Sequence, residues 1–223
     1  MGWILEQKFM TVEQVRRVFW NETEAGKMNS YRRLLKLYGG GYLKRSRSSI
    51  YRNVLYLVTA MGLKGLRAVG RDRGLSESAD VDSGNYKHDV AVTDIRIMFH
   101  KWGYDDWASE RVIEAHEKLR RVPDGMVYHR GKGYAIEFES TQKSKSRYED
   151  IFIEYELERK IEGVIYIVDT SVLLAKLCKM ASSYLKIRFV HLKHLQEQKL
   201  DSVLVSAKAQ GTLAEFLNTG VPE

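Results

Sequence analysis

The sequence predicts two folding units: a small, basic, largely helical one, then a larger α/β (α+β) domain in which helices flank a mixed sheet. Three observations carry that expectation. Charge is divided unevenly, with 15 Lys/Arg against 5 Asp/Glu in residues 1–74 and 21 against 24 in the rest of the chain. Apolar periodicity lapses over residues 70–85, GRDRGLSESADVDSGN, a Gly-, Ser- and Asp-rich stretch that reads as a linker or loop. Beyond it the order helix, strand, hairpin, helix, strand is that of a sheet covered by helices. The expected division is residues 1–74, a linker over 75–85 and a second domain over 86–223.

In the basic part, TVEQVRRVFW begins with Thr11 and carries Gln14 three residues on, the pattern of a capping box. Val12, Val15, Val18 and Phe19 then share a helical face. NETEAGKM reads as a polar linker to a second helix, NSYRRLLKLY, with Asn29 or Ser30 as cap and Leu34, Leu35 and Tyr38 turned inward. Gly39-Gly40-Gly41 ends it. GYLKRSR and RNVLYLVT read as two strands joined by a basic, serine-rich tip, and TAMGLKGLRAV as a closing helix.

Two helices, a basic hairpin and a closing helix resemble a winged helix-turn-helix domain. That resemblance implies that NSYRRLLKLY is a recognition helix offering Tyr31, Arg32, Arg33 and Lys36 to DNA. It also implies that Lys44, Arg45, Arg47 and Arg52 form a wing over adjacent phosphates. The bland alternative is a solvated basic face. The concentration of charge in these two elements favours double-stranded DNA as the partner.

In the second domain, YKHDVAVTDIRIMFHKWG reads as a helix, DWASERVI as a strand, and PDGMVYHRG with KGYAIEFES as a hairpin turning at residues 130–133. SRYEDIFIEYELERK reads as a long helix, EGVIYIVD as a buried strand, SVLLAKLCKMASSYL as a helix and KIRFVHL as a strand. A further strand, DSVLVSA, and a short helix, TLAEFL, follow. Side chains alternate along a strand, so Glu137 and Glu139 share one face while Ile136 and Phe138 share the other. A short hairpin brings Asp124, behind Pro123, beside the two glutamates. Carboxylates so crowded repel one another unless a cation sits among them or some take up protons. Such oxygen ligands suit Mg²⁺ or Mn²⁺, and phosphodiester hydrolysis needs such an ion to activate water. Asp124, Glu137 and Glu139 are the candidate metal-site residues. In the hydrolytic reading Asp124 and Glu137 are ligands, with the Phe138 carbonyl as a third. Glu139 or Lys143 orients or deprotonates the water.

Pro123-Asp124 followed after a hairpin by Glu137-Phe138-Glu139 looks like the motif of the PD-(D/E)XK nuclease superfamily, over roughly residues 86–170. The resemblance implies a nuclease-like core. Where that family has a lysine two residues past its acidic ligand, this chain has Glu139, and Lys143 is the candidate to supply the ammonium. The wider layout, with HDVAVTDIRI, WASER, PDG and AIEFESTQKSKSRY, looks like replication-relaxation proteins of plasmids and other mobile elements. That likeness implies DNA binding more firmly than cutting.

Other chemistry finds little support. Asp89, Asp94 and Glu110 are available to a metal shell but read first as salt-bridge partners. Lys143, Lys145 and Arg147 are candidate phosphate contacts or simply a solvated helix start. His191 and His194 have H-x-x-H spacing with no cysteine pair to complete a zinc set. No phosphate-binding loop or nucleophile elbow is present. The single cysteine, Cys178, excludes an internal disulfide and suits a reducing cytoplasm. No apolar run reaches the ~20 residues of a membrane span. The expectation is therefore a cytoplasmic DNA-binding protein, a metal-dependent endonuclease or nickase. The alternative is a non-catalytic regulator or replication initiator whose second domain serves binding or homodimerisation.

Overall fold

The computed structural model describes residues 1–20, 23–47, 53–78 and 80–220. Arg52, expected in the wing, lies outside them. The chain divides into two compact units, Met1–Ile97 and Met98–Glu223.

The first unit opens with α1 (Gly2–Glu6) and the two-residue strand β1 (Met10–Thr11), neither evident in the sequence pattern. α2 (Val12–Phe19) starts at the expected capping box, the Thr11 side chain accepting from Gln14 N while the Gln14 side chain accepts from Thr11 N. α3 (Glu24–Gly39) is longer than expected. Thr23, not Asn29 or Ser30, is its cap, the hydroxyl accepting from Gly26 N at 3.1 Å. Much of the supposed linker is thereby helical, because Glu, Ala, Lys and Met are good helix formers once a cap upstream satisfies the first turn.

β2 (Leu43–Ser46) and β3 (Leu55–Val58) follow, then α4 (Ala60–Arg67). The three strands form an antiparallel sheet in the order β1-β3-β2. Leu75 is buried within this unit, and Val81 packs with Tyr86 and Val90 against Phe9, Leu55 and Leu57. The inward expectation for Tyr38 fails, the residue being 40% exposed, and Phe19, on the apolar face of α2, is 52% exposed. The Tyr38 ring instead receives the Arg45 guanidinium, 3.7 Å from its centroid, a cation–π contact.

α5 (Tyr86–Lys101) spans the division between the units. In the second unit the expected strand DWASERVI splits into β4 (Trp107–Ser109) and α6 (Glu110–His116). Next come β5 (Gly125–His129), β6 (Lys132–Glu139), α7 (Lys145–Leu157), β7 (Gly163–Val168) and α8 (Ser171–Met180). β8 (Ile187–His191), α9 (Leu192–Gln198), β9 (Val203–Val205), β10 (Gln210–Thr212) and α10 (Leu213–Thr219) complete it.

The seven strands form one mixed sheet, β10-β9-β8-β7-β6-β5-β4. Only the β6–β7 and β7–β8 pairings are parallel. Central parallel strands are covered on both faces, which is why GVIYIV is continuously apolar. α7 covers one face, its Phe152 ring packing on Tyr166 and Phe189. Tyr134, of opposite parity to Glu137 on β6, meets Phe216 of α10. The β5–β6 hairpin turns on two residues, Arg130 (φ 51°) and Gly131 (φ 78°), between the paired His129 and Lys132. Positive φ at both positions matches the twist of the flanking strands.

Candidate active site

The hairpin register determines what meets at its open end. Gly125 pairs with Ile136, so Asp124, one residue before β5, lies across from the Glu137–Phe138 step. Its Oδ2 accepts from Phe138 N at 2.8 Å. A backbone hydrogen bond that would otherwise belong to the ladder thus anchors the carboxylate.

Glu137 and Glu139 share the face under α7, and both are buried. Glu137 accepts a short hydrogen bond from the Tyr155 hydroxyl and another from Arg121 Nε at 3.3 Å. Arg121 also lies 3.9 Å from Glu154, and its guanidinium lies 5.9 Å from the centre of the Tyr155 ring. Burial, reinforced by the charge on Asp124, pushes the Glu137 carboxyl up to about 7, against the opposing pull of Arg121, Tyr155 and Lys143. Burial works against the Arg121 charge, but Glu137 and Tyr155 outweigh it and raise Arg121 above its usual value. The hydroxyls of Tyr155 and Tyr166 are held well above the ordinary tyrosine range by burial first and Glu137 second.

Glu139 makes a close ion pair with Lys143 Nζ. Strand β6 ends at Glu139, so Lys143 does not continue its alternation. It returns because the buried Tyr148 hydroxyl accepts from Lys143 N at 3.1 Å and donates to the Thr141 carbonyl at 3.3 Å. That link folds residues 141–143 back toward the strand end. The four expected catalytic residues, Asp124, Glu137, Glu139 and Lys143, are therefore gathered at one end of the hairpin, as two linked sets.

The expected three-carboxylate cluster is not assembled. Among the described residues no three His, Cys, Asp or Glu side chains come close enough to hold one metal ion. Glu139 turns to Lys143, while Asp124 and Glu137 remain neighbours. That pair does suit a hard divalent cation: its donors are carboxylate oxygens, and the burial and, secondly, the Asp124 charge that raise the Glu137 carboxyl are costs that a bound cation would offset.

Two of the other acidic candidates, Asp89 and Asp94, are engaged elsewhere, whereas Glu110 lies next to Asp124. Asp89 pairs with Lys8 at 3.1 Å, and Asp94 with Arg17 at 2.9 Å and Gln14 at 3.1 Å. Glu110 opens α6, its backbone N–H donating to the Asp124 carbonyl at 3.3 Å. Lys145 pairs with Glu149 at 3.5 Å. His191 Nδ1 accepts from Lys193 N at 3.1 Å, capping α9.

In the first unit Tyr31, Arg32, Arg33 and Lys36 lie exposed on α3. Lys44 and Arg45 are half-buried on β2, Lys44 pairing with Asp80 at 3.3 Å, and Arg47 is exposed just beyond. Sequence reasoning missed Arg121 and Tyr155, and placed Tyr148 at the start of α7 without a role. The two tyrosines lie seven residues apart on the face of α7 that meets Glu137 and Glu139, a spacing that core packing alone also produces. Arg121, in a non-helical segment before Pro123, gave no periodic signal.

Fold and site together define a mixed α/β protein whose seven-stranded sheet sets a half-buried Asp124 beside a buried Glu137 at the open end of a hairpin. The chain belongs to the replication-relaxation family, whose model matches residues 1–159, through α7 and the whole acidic site. That membership ties it to replication. No curated protein and no solved structure matches it. Among the described residues no helix is long and apolar enough to cross a membrane.

Proposed function

We propose that the protein binds double-stranded DNA through a winged-helix first unit and nicks or cuts it at a Mg²⁺- or Mn²⁺-dependent site in a PD-(D/E)XK-like second unit. The observation that carries the hydrolytic half is the juxtaposition of Asp124 with buried Glu137, the Glu139–Lys143 pair lying two residues along the strand. The binding half is supported by the order of α1, β1, α2, α3 and the β2–β3 hairpin. It is supported too by Arg32, Arg33 and Lys36, which lie exposed on α3. The family's link to replication agrees with a DNA substrate.

In this reading Asp124 and Glu137 would hold the cation, and the Phe138 N–H keeps the Asp124 carboxylate in place. The bound ion supplies an activated water and neutralises charge on the phosphate. The Lys143 ammonium, tethered by Glu139, balances charge on the phosphoryl oxygens, and Glu139 orients the water. Tyr155 holds Glu137 in one rotamer by its hydroxyl. Exposed cations on α3 bind phosphates and orient the duplex.

A second reading is favoured by a particular contact. Arg121 already supplies positive charge at Glu137, which suits a non-catalytic DNA-binding regulator or initiator with a nuclease-like fold. A labelled duplex separates the two. For the enzyme, Glu137→Gln still binds duplex but loses Mn²⁺-dependent cleavage, while Arg32→Ala weakens binding. For the regulator, no protein cleaves and Glu137→Gln changes nothing.

A further inference from the structure

Arg121 is the residue that the hydrolytic reading leaves unexplained, and it contacts Glu137, Glu154 and the ring of Tyr155. Its Nε lies 3.3 Å from the Glu137 carboxylate, its Nη1 lies 3.9 Å from Glu154, and Tyr155 is beneath it. The three contacts differ in depth. Glu137 is buried, whereas the Glu154 side chain is 41% exposed and that of Arg121 itself is 20% exposed. The guanidinium therefore bridges a buried acid and the protein surface. Its backbone is not part of a rigid element: Arg121 sits between the end of α6 at His116 and the start of β5 at Gly125. Arg120 N anchors that segment to Glu158 at 3.0 Å, a fixed point next to the residue that carries the guanidinium.

A guanidinium beside Glu137 neutralises the same charge that a divalent cation would. The two compete, because both need the Glu137 oxygens and because unlike ligands of like charge repel at short range. A guanidinium also has a preferred alternative partner, the phosphodiester group, which it meets with two parallel hydrogen bonds.

We propose that Arg121 is the resident counter-cation of the Asp124–Glu137 pair, released to a phosphate of the DNA backbone when duplex engages the site, so that duplex and divalent cation are taken up together. The inference rests on the metal-site reading above and adds its regulation. It makes Arg121 a positioning residue that keeps the free protein from holding a competent metal site away from DNA. A residue of purely structural value would stabilise the fold without linking the two ligands. Reciprocity follows from linkage: if duplex tightens metal binding, metal tightens duplex binding by the same factor.

The test uses the full chain, Mn²⁺, and a phosphorothioate duplex that resists cleavage, with free Mn²⁺ counted by electron paramagnetic resonance and the bare duplex as blank. Without duplex, the expected result is weak binding to wild type and at least tenfold tighter binding to Arg121→Gln, with Glu137→Gln binding weakest. Arg121→Lys, which keeps the charge, stays close to wild type. Adding duplex tightens wild type at least tenfold and Arg121→Gln little. Equal affinities in wild type and Arg121→Gln, both abolished by Glu137→Gln, overturn the role of Arg121 while leaving the metal pair standing. Absence of Mn²⁺ binding by every variant, with and without duplex, overturns the metal-site reading and this inference with it. Should Arg121→Gln fail to fold by circular dichroism, wild type alone decides: no duplex-dependent tightening refutes the coupling.

Discussion

Replacing Glu137 by Gln should change how stability depends on pH, and in a direction opposite to most carboxylates. The folded-state carboxyl titrates near 7 instead of 4.5, chiefly because it is buried and secondly because Asp124 repels it. Between those values the folded chain holds a proton that the unfolded chain has released. Stability contributed by the neutral acid is complete below pH 4.5 and is lost as pH rises through 7. At about 1.4 kcal/mol per pH unit, the interval corresponds to about 3 kcal/mol. Glutamine cannot ionise, so Glu137→Gln should lose none of it. Urea unfolding of both proteins from pH 5 to pH 8, with a chelator present, reads this directly as a difference of differences. Near pH 5 the variant should be no more stable than wild type, and its relative stability should climb by about 3 kcal/mol by pH 8. A constant difference over that range would show that Glu137 is not held neutral, and the argument from burial and Asp124 would be wrong.

Asp124→Asn removes the repelling charge, so the Glu137 titration seen by carboxyl NMR should shift downward; an unchanged midpoint would show that the two carboxylates are not neighbours in solution. Arg32→Ala and Arg33→Ala should each weaken duplex binding and reduce the slope of log affinity against log salt by about 1 if each neutralises one phosphate, as read by fluorescence anisotropy. Gly125→Ala places a Cβ 2.3 Å from the Trp107 ring, and overpacking of this kind costs about 1–3 kcal/mol, measurable as a lowered thermal midpoint. Thr11→Ala deletes the capping box of α2 and should cost about 1 kcal/mol.

What the sequence disclosed and what it withheld differ in physical kind. The β5–β6 hairpin was legible because Arg130-Gly131 is a turn signal between two alternating runs, and alternation alone puts Glu137 and Glu139 on one face. The buried β7 followed from an unbroken apolar run. The capping box named the start of α2, yet the same reasoning misplaced the start of α3, since Thr23 precedes a polar stretch with no apolar period to announce a helix. At the site, the strand pattern suggested one cluster of three carboxylates. Beside Asp124–Glu137 and Glu139–Lys143 stand Arg121, on Glu137, and the Tyr148 hydroxyl, on residues 141 and 143, contacts made through turns and loops that strand alternation does not encode. Lys143 was suspected, but its route back to Glu139 runs through a turn, not along an extended strand.

The central claim, that the acidic pair cuts DNA, is tested most directly on supercoiled plasmid incubated with the protein and Mn²⁺ or Mg²⁺. The account predicts conversion to nicked or linear DNA by wild type, and none by Glu137→Gln or with a chelator. Plasmid left supercoiled by wild type under both metals, while the same protein still shifts labelled duplex, would contradict it and leave the DNA-binding regulator in its place.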